Sequence, residues 1–134
     1  MFDPISDMLT RVKNAQMAGH EEVIFPFSKI KLAISKILEK EGFAEGFSEE
    51  SDGNLKNIRL SLKYKKVSNN RKTPVIEEIK RISHVGQRIY VGKSEIGKVK
   101  NNFGISIIST SQGIMTGREA KKKGLGGEYI CEVW

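Results

Sequence analysis

The stretch "GISIISTSQGIMTGREAKKKGLGGEYICEVW", residues 104–134, decides the fold of the C-terminal half. Its apolar start, residues 104–109, predicts a buried strand. Thr116 and Glu119 have the spacing of a capping box, which predicts a short helix that ends at Gly124. The final "EYICEVW" predicts a strand in which alternate residues share one face, namely Tyr129, Cys131 and Val133. These elements predict a C-terminal part made mostly of strands.

The polar stretch "STSQGIMT", residues 109–116, follows the first of these strands. One interpretation is an ordinary Ser/Thr turn. The other is a surface for RNA, because short hydroxyl side chains suit the exposed minor groove of an A-form helix and Gly113 lets backbone approach closely. A helix that begins at Thr116 would direct free amides toward a phosphate, and Lys121–Lys123 would add attraction. The pattern alone leaves both interpretations open.

Upstream, the first half predicts helix, strand, helix, strand and strand. Asp3-Pro4 is a good helix start, and "EEVIFPF" indicates an edge strand because it contains Pro26. Ser28 should cap the second helix and Gly42 should end it. The two helices should bury apolar stripes made of Ile5, Met8, Leu9, Val12 and Ala15, and of Ile30, Ala33, Ile34, Ile37 and Leu38. "SDGN" predicts a hairpin turn before a strand that buries Ile58, Leu60, Leu62 and Tyr64.

The middle of the chain, "KKVSNNRKTP" at residues 65–74, is polar, cationic and rich in turn residues, which predicts a linker. Beyond it, "VIEEIKRI" and "QRIYV" predict strands, and "SEIGKVKNN" predicts a short helical turn. The fold class is therefore α+β, with helices and strands in the first part and mostly strands in the second. The predicted domains are 1–64 and 75–134, the second mainly antiparallel sheet with a short helix.

Composition narrows the classes of function. The chain has 134 residues, 38% of them apolar, and no apolar stretch of the roughly 20 residues that span a bilayer. The formal net charge is +7. Residues 59–102 hold twelve Lys or Arg and three Asp or Glu, a net of +9, whereas residues 21–58 hold five and eight, a net of −3. A basic region of this kind is typical of proteins that bind a phosphate backbone, although it also serves solubility.

Residues able to carry catalysis or hold a metal do not cluster. His20 and His84 lie far apart in sequence and neither has the ligand spacing of a zinc site. Cys131 is the single cysteine, so no intrachain disulfide can form and a cytosolic location is expected. Its place in an apolar strand predicts a buried thiol. We therefore expect no metal, no cofactor and no enzymatic activity, and no membrane association.

Residues 109–134 resemble the C-terminal signature of the bacterial family of the eighth small-subunit ribosomal protein. The matched positions are Ser109, Thr110, Ser111, Gly113, Met115, Thr116, Ala120, Gly126, Gly127, Glu128, Cys131, Val133 and Trp134. "DPISDMLTRVKNA" and "PFSKIKLAI" are similar to the family's first two helices, so the resemblance covers essentially the whole chain. It implies a fold of two small α/β parts packed together, and a cytoplasmic protein of the small ribosomal subunit that contacts the central domain of its RNA early in assembly. It also implies neighbouring ribosomal proteins as partners, and repression of its own operon's messenger RNA. The alternative is an unrelated cytosolic RNA-binding module or enzyme.

The resemblance also implies which residues bind RNA. The main surface would lie in the C-terminal part, at Ser109, Thr110, Ser111, Gly113, Thr116, Gly126, Gly127 and Glu128, with Arg88 and Tyr90 as further candidates. A second contact in the N-terminal part would use Thr10, Arg11, Asn14, Lys29 and Lys31. Some roles stay open from sequence. The Gly126-Gly127 pair could form a turn or permit close RNA approach, Glu128 could accept a bond from a base or brace the serine loop, and Tyr90 could stack on a base or pack inward.

Overall fold

The computed structural model describes residues 3–134 and confirms an α+β fold. The helices are α1 (Pro4–Met17), α2 (Lys29–Lys40) and α3 (Gly117–Lys123). The strands are β1 (Glu22–Pro26), β2 (Ala44–Asp52), β3 (Leu55–Leu62), β4 (Tyr64–Ser68), β5 (Arg71–Pro74), β6 (Ile79–Arg81), β7 (Tyr90–Val91), β8 (Ile105–Thr110), β9 (Gly113–Thr116) and β10 (Gly127–Val133). By its internal contacts the chain divides into an N-terminal unit, Asp7–Glu77, and a C-terminal unit, Glu78–Trp134 with the N-terminal residues up to Ser6.

Local capping chemistry sets the ends of the first two helices, as the sequence predicts. An oxygen of the Asp3 carboxylate accepts hydrogen bonds from the backbone N–H groups of Ile5 and Ser6, at 3.1 and 3.2 Å. Ser28 Oγ accepts from the N–H of Lys31 at 3.1 Å. Both caps satisfy amides that have no partner inside the helix. Gly42, just after α2, has a φ of +83°, which costs glycine little and other residues more.

The N-terminal unit contains an antiparallel sheet in the order β1–β3–β2, with β1 at an edge as Pro26 predicts. Gly53 turns the β2–β3 hairpin with a φ of +64°. Ile58, Leu60 and Leu62 of β3 are buried, as their alternation predicts. The fully buried residues of the core include Met8, Val12, Phe25, Ile34, Leu38, Ile58 and Leu60.

The predicted apolar stripe of α2 is wrong at its first turn. Ile30 is 45% exposed, whereas Lys31 is only 5% exposed. The buried positions recur at intervals of three and four residues, as a single helix face requires: Lys31, Ile34, Ser35, Ile37 and Leu38. Lys31 fits this face because its ammonium donates to the carbonyl oxygen of Pro26 at 3.2 Å while its aliphatic stem is covered.

The segment predicted as a linker is regular structure. Strands β4 and β5 pair antiparallel as a separate two-stranded sheet, with Asn69 and Asn70 in the turn between them. The turn signal was therefore correct, but the flanking lysines belong to strands. Residues 1–64 and 75–134 as separate domains stay a prediction.

The C-terminal unit is a sheet in the order β6–β10–β8–β9, and β7 also pairs with β10. Three local predictions differ from the structure. The strand predicted at 75–82 is only Ile79–Arg81, and "GIMT", predicted as part of a polar turn, is strand β9. The predicted helical turn at 94–102 is a single turn at Lys100–Asn102 in which all three residues have positive φ.

A β-bulge in β10 overturns the predicted face of the last strand. Tyr129 pairs with Ile108, and Cys131 pairs with Ile107, so Ile130 is the extra residue. Because adjacent residues of β8 point to opposite sides of the sheet, Tyr129 and Cys131 do so as well. Tyr129 donates its hydroxyl to Glu132 at 2.5 Å, on the side opposite Cys131 and Val133.

Helix α3 covers one side of this sheet. It packs through Ala120, which joins Ile96 and Met115 in a buried cluster. Thr116 Oγ1 accepts from the N–H of Glu119 at 3.2 Å, so Thr116 caps the helix as predicted. The Thr116 hydroxyl also donates to the Glu119 carboxylate at 3.3 Å. Gly124 ends α3 with a φ of +70°.

The Cys131 thiol is buried, as predicted, and burial raises its pKa to about 12. In the unfolded chain the thiol ionises near its ordinary pKa of 9.0. Between these two values the unfolded state loses a proton that the folded state keeps, so the free energy of unfolding should fall as pH rises from 9 to 12.

We therefore expect Cys131 to resist a thiol reagent at pH 8 until the chain is unfolded, because the reagent needs an accessible thiolate. Labelling followed by mass spectrometry, with and without denaturant, measures this. Labelling of the folded protein at the rate of a free thiol would contradict the buried position.

Candidate nucleic-acid interface

Three polar or aromatic residues lie in one row across the C-terminal sheet. Glu128 of β10 pairs with Ser109 of β8 on one side and with Tyr90 of β7 on the other. Paired residues of antiparallel strands point to the same side, so the three side chains form a continuous row. Tyr90 is 68% exposed, so it faces solvent and the inward-packing alternative is wrong. We call Tyr90, Glu128 and Ser109 the strand-end row.

The predicted serine loop is the two-residue turn of the β8–β9 hairpin. Thr110 pairs with Gly113, and Ser111 and Gln112 are the exposed residues between them. The Thr110 hydroxyl donates to the carbonyl oxygen of Gly113 at 2.8 Å and accepts from the N–H of Gln112 at 3.1 Å. Gly113 has a φ of +114°, a conformation that side chains rarely adopt. Thr110 therefore builds the turn, and Ser111 is exposed on it. The RNA surface at this stretch stays a prediction.

Glu128 has a bracing role in this structure. Its Oε2 accepts from the Ser83 hydroxyl at 2.7 Å and from the Arg88 guanidinium at 3.0 Å. Ser83 is fully buried and also accepts from the N–H of Ile89 at 3.1 Å. These bonds hold the segment 83–89, rather than the serine loop, against β10. Arg88 also offsets the negative charge that Glu128 would otherwise present to a polyanion.

The Gly126-Gly127 pair is required by the closeness of neighbouring backbone. A Cβ at Gly127 would lie 2.0 Å from the carbonyl oxygen of Ser109, and one at Gly126 would lie 2.4 Å from that of Val91. Neither glycine has a φ in the left-handed region. Close approach of strands β7, β8 and β10 therefore explains both glycines, where the sequence suggested a turn or close approach of RNA.

Thr116 and Gly117, where α3 begins, do not belong to an open surface. Thr116 is 2% exposed and its hydroxyl is occupied by the helix cap. We therefore assign Thr116 to the helix cap and remove it from the candidates for RNA binding. Lys121, Lys122 and Lys123 are exposed in the last turn of α3, where cations also interact favourably with the helix dipole.

The second group of candidates belongs to the N-terminal unit. Thr10 and Asn14 are exposed one helical turn apart on α1, and Lys29 is exposed at the start of α2. Arg11 is exposed but forms an ion pair with Asp7 at 3.1 Å and donates to the carbonyl oxygen of Ile24 at 3.3 Å. Lys31 is buried with its ammonium on Pro26, so it has no free surface and is removed from the group.

Ser83 is the one participant that sequence reasoning missed. It lies 45 residues before Glu128, in a loop that carries no motif, and the pairing of β6 and β7 with β10 brings the two together. A buried serine hydroxyl with both a donor and an acceptor partner leaves no local signal in the sequence.

The described residues contain neither a metal-binding cluster nor a membrane-spanning helix. No group of three or more His, Cys, Asp or Glu side chains in residues 3–134 could hold a metal ion. Within the same range, no helix is both long and apolar enough to cross a membrane.

Fold and site define a small α+β protein that displays hydroxyl, aromatic and cationic side chains at the ends of sheet strands. The chain belongs to the family described as Ribosomal protein S8, whose model matches residues 3–134. This confirms the resemblance inferred from sequence. The family is a structural, non-enzymatic one, so the alternative of an unrelated enzyme is excluded and the expectation of no catalytic activity is confirmed.

Individual relatives agree over their full length. The chain is 52% identical over 134 residues to the small ribosomal subunit protein uS8 of Clostridium novyi, covering 100% of this chain and 98% of that protein. It is 50% identical to uS8 of Desulforudis audaxviator, covering 100% and 99%. It is 47% identical over 132 residues to uS8 of Solibacter usitatus, covering 98% of each.

Proposed function

We propose that this chain is a structural component of the small ribosomal subunit in the cytoplasm. In this role it binds the central domain of small-subunit ribosomal RNA directly, lies beside other small-subunit proteins and helps the subunit assemble. Family membership and the names of the relatives support the ribosomal role. The RNA target is the part of the proposal that needs an experiment.

One observation supports this RNA-binding surface most directly: the strand-end row lies beside Ser111, which is exposed on a turn closed by hydrogen bonds of Thr110. A wide, shallow RNA minor groove offers 2′-hydroxyls and base edges to short side chains of this kind. Tyr90 adds an exposed ring on which an unpaired base can stack. The ion pair of Glu128 with Arg88 removes the repulsion that a lone carboxylate would cause.

The experiment is a titration of the purified protein against an RNA fragment of the small-subunit central domain and against an unrelated duplex of equal length. We expect tighter binding to the central-domain fragment at physiological salt. Equal affinity for both RNAs would contradict specific recognition and reduce the role to general polyanion binding.

Salt provides a second expected result, because twelve cations lie in residues 59–102. Each phosphate contact releases counterions, so the logarithm of the binding constant should fall by about 0.9 for every contact per logarithmic unit of salt on a duplex. We expect a slope that corresponds to several contacts, measured between 50 and 200 mM salt. A flat response would contradict phosphate contacts by these residues.

We further propose that the same surface binds a similar RNA structure in the messenger of the protein's own operon and represses its translation. The support is that a rigid surface which recognises RNA shape accepts any RNA of that shape. Competition tests this proposal: the messenger fragment should displace the ribosomal fragment from the wild-type protein. Simultaneous binding of both fragments would contradict a shared surface.

A further inference from the structure

Strands β4 and β5 form a two-stranded ribbon, Tyr64–Pro74, that pairs with no other strand of the described chain. Residues 65–73 are all exposed. An isolated two-stranded ribbon is only marginally stable in water, so its stability depends on the side chains that face each other across it. The charges on the ribbon should therefore affect its stability directly.

Those charges oppose the pairing of the ribbon. Lys66 lies directly opposite Lys72, and like charges in this position destabilise a strand pair. Lys65 and Arg71 add two cations, and no Asp or Glu occurs in residues 63–76. Within residues 3–134, no ion pair is formed by Lys65, Lys66 or Arg71, and the only relief at Lys72 is a contact of its ammonium with the Tyr64 ring at 4.4 Å.

A cation elsewhere in the same unit shows the opposite arrangement. Arg59 of β3 bonds to the carboxylates of Glu22 and Glu50, which lie on the two neighbouring strands. There the charge is neutralised inside the protein and supports the sheet. The ribbon concentrates positive charge on an exposed element without that compensation, which fits a partner that supplies negative charge at regular spacing.

We propose that the ribbon is a phosphate-backbone contact for RNA, formed by Lys65, Lys66, Arg71 and Lys72. The identity of the RNA rests on the proposed function. The four cations of the ribbon require only closely spaced phosphates. Contacts of this kind position a protein on RNA and carry no sequence information. Binding relieves the repulsion between Lys66 and Lys72, so the bound ribbon is better ordered than the free one.

The test is the double variant Lys66→Gln/Lys72→Gln, titrated with the central-domain fragment and with an unrelated RNA duplex. Loss of two phosphate contacts should lower the salt slope by about 1.8 for both RNAs. Between 50 and 200 mM salt the wild type should therefore lose about tenfold more affinity than the variant. The melting temperature should stay the same or rise, because a like-charge pair has been removed.

A matched control removes two exposed cations of α2 in Lys36→Gln/Lys40→Gln, with the same change in net charge. It should leave the slope close to that of the wild type. Equal slopes for the ribbon variant and the wild type, or equal changes in both variants, would overturn the ribbon contact. The proposed function fails separately, if the wild type does not prefer the central-domain fragment while the ribbon variant still lowers the slope on both RNAs.

Discussion

Gly127→Ala should lower the free energy of unfolding by about 3 kcal/mol, one of the two largest effects that we expect from a small change. Its Cβ would lie 2.0 Å from the carbonyl oxygen and 2.8 Å from the carbonyl carbon of Ser109, both backbone atoms. Backbone atoms cannot move away by a change of rotamer as a side chain can, so strands β8 and β10 must separate. Thermal unfolding followed by circular dichroism measures the effect, about 10 °C for a chain of this length.

Gly97→Ala is the matched control. A Cβ at Gly97 meets nothing within 4 Å, and its φ lies outside the left-handed region. The same methyl group added there should leave the melting temperature unchanged or raise it slightly, because alanine restricts the unfolded chain. A Gly127→Ala protein as stable as this control would contradict the close approach of β8 and β10.

The second large effect concerns RNA. The triple change Ser109→Ala, Thr110→Val, Ser111→Ala should weaken specific binding to the central-domain fragment by about 1–3 kcal/mol, at roughly 0.5–1.5 kcal/mol for the hydrogen bond of each serine hydroxyl. The Thr110 hydroxyl is already bonded within the turn. The salt slope should not change, because hydroxyl groups release no counterions. Affinity for an unrelated duplex should be close to that of the wild type. Fluorescence titration at several salt concentrations measures all three quantities.

Two further variants separate contact from turn structure. Thr110→Val alone removes the two bonds that hold the turn, and should cost about 1 kcal/mol of stability. Ser109→Ala/Ser111→Ala leaves those bonds in place, so its loss of RNA affinity reports direct contact. Ser48→Ala/Ser51→Ala, on exposed serines of β2, is the control and should bind normally. Full affinity of the triple variant would mean that the stretch is only a turn.

Features with a local chemical cause could be predicted from sequence. The caps at Asp3, Ser28 and Thr116 each need one side chain and a nearby backbone amide, and all three are present. Glycine at a helix end or hairpin turn needs only a positive φ, as at Gly42, Gly53 and Gly124. These interactions are contained within four or five residues, so no knowledge of the rest of the chain is required.

Features that depend on another strand could not be predicted. The bulge that separates Tyr129 from Cys131 is visible only in the register of β10 against β8. Residue 127 must be glycine because the backbone carbonyl oxygen of Ser109 leaves no room for a Cβ. Glu128 accepts a hydrogen bond from Ser83. Each of these pairs is distant in sequence and carries no motif. The residues of the strand-end row could therefore be predicted from sequence, but their alignment across three strands could not.

The burial of individual candidates was also beyond sequence reasoning. Lys31 and Thr116 are of residue types common at RNA surfaces, yet one bonds to Pro26 and the other caps α3. Lys31 is buried because it lies on the inward face of α2. Thr116 is buried because it stands at the junction of β9 and α3. Tyr90, whose alternation in sequence was ambiguous, is exposed because β7 is only two residues long and lies at the border of the sheet.

We propose that Ser109, Ser111, Tyr90 and Glu128 form the surface that binds small-subunit ribosomal RNA. Chemical footprinting of the purified protein on that RNA, with and without Ser109→Ala/Ser111→Ala, tests it most directly. We expect protection of one compact site in the central domain, with 2′-hydroxyl protection lost in the variant at concentrations where the wild type protects fully. Protection outside the central domain, or an identical footprint for both proteins, would contradict the claim.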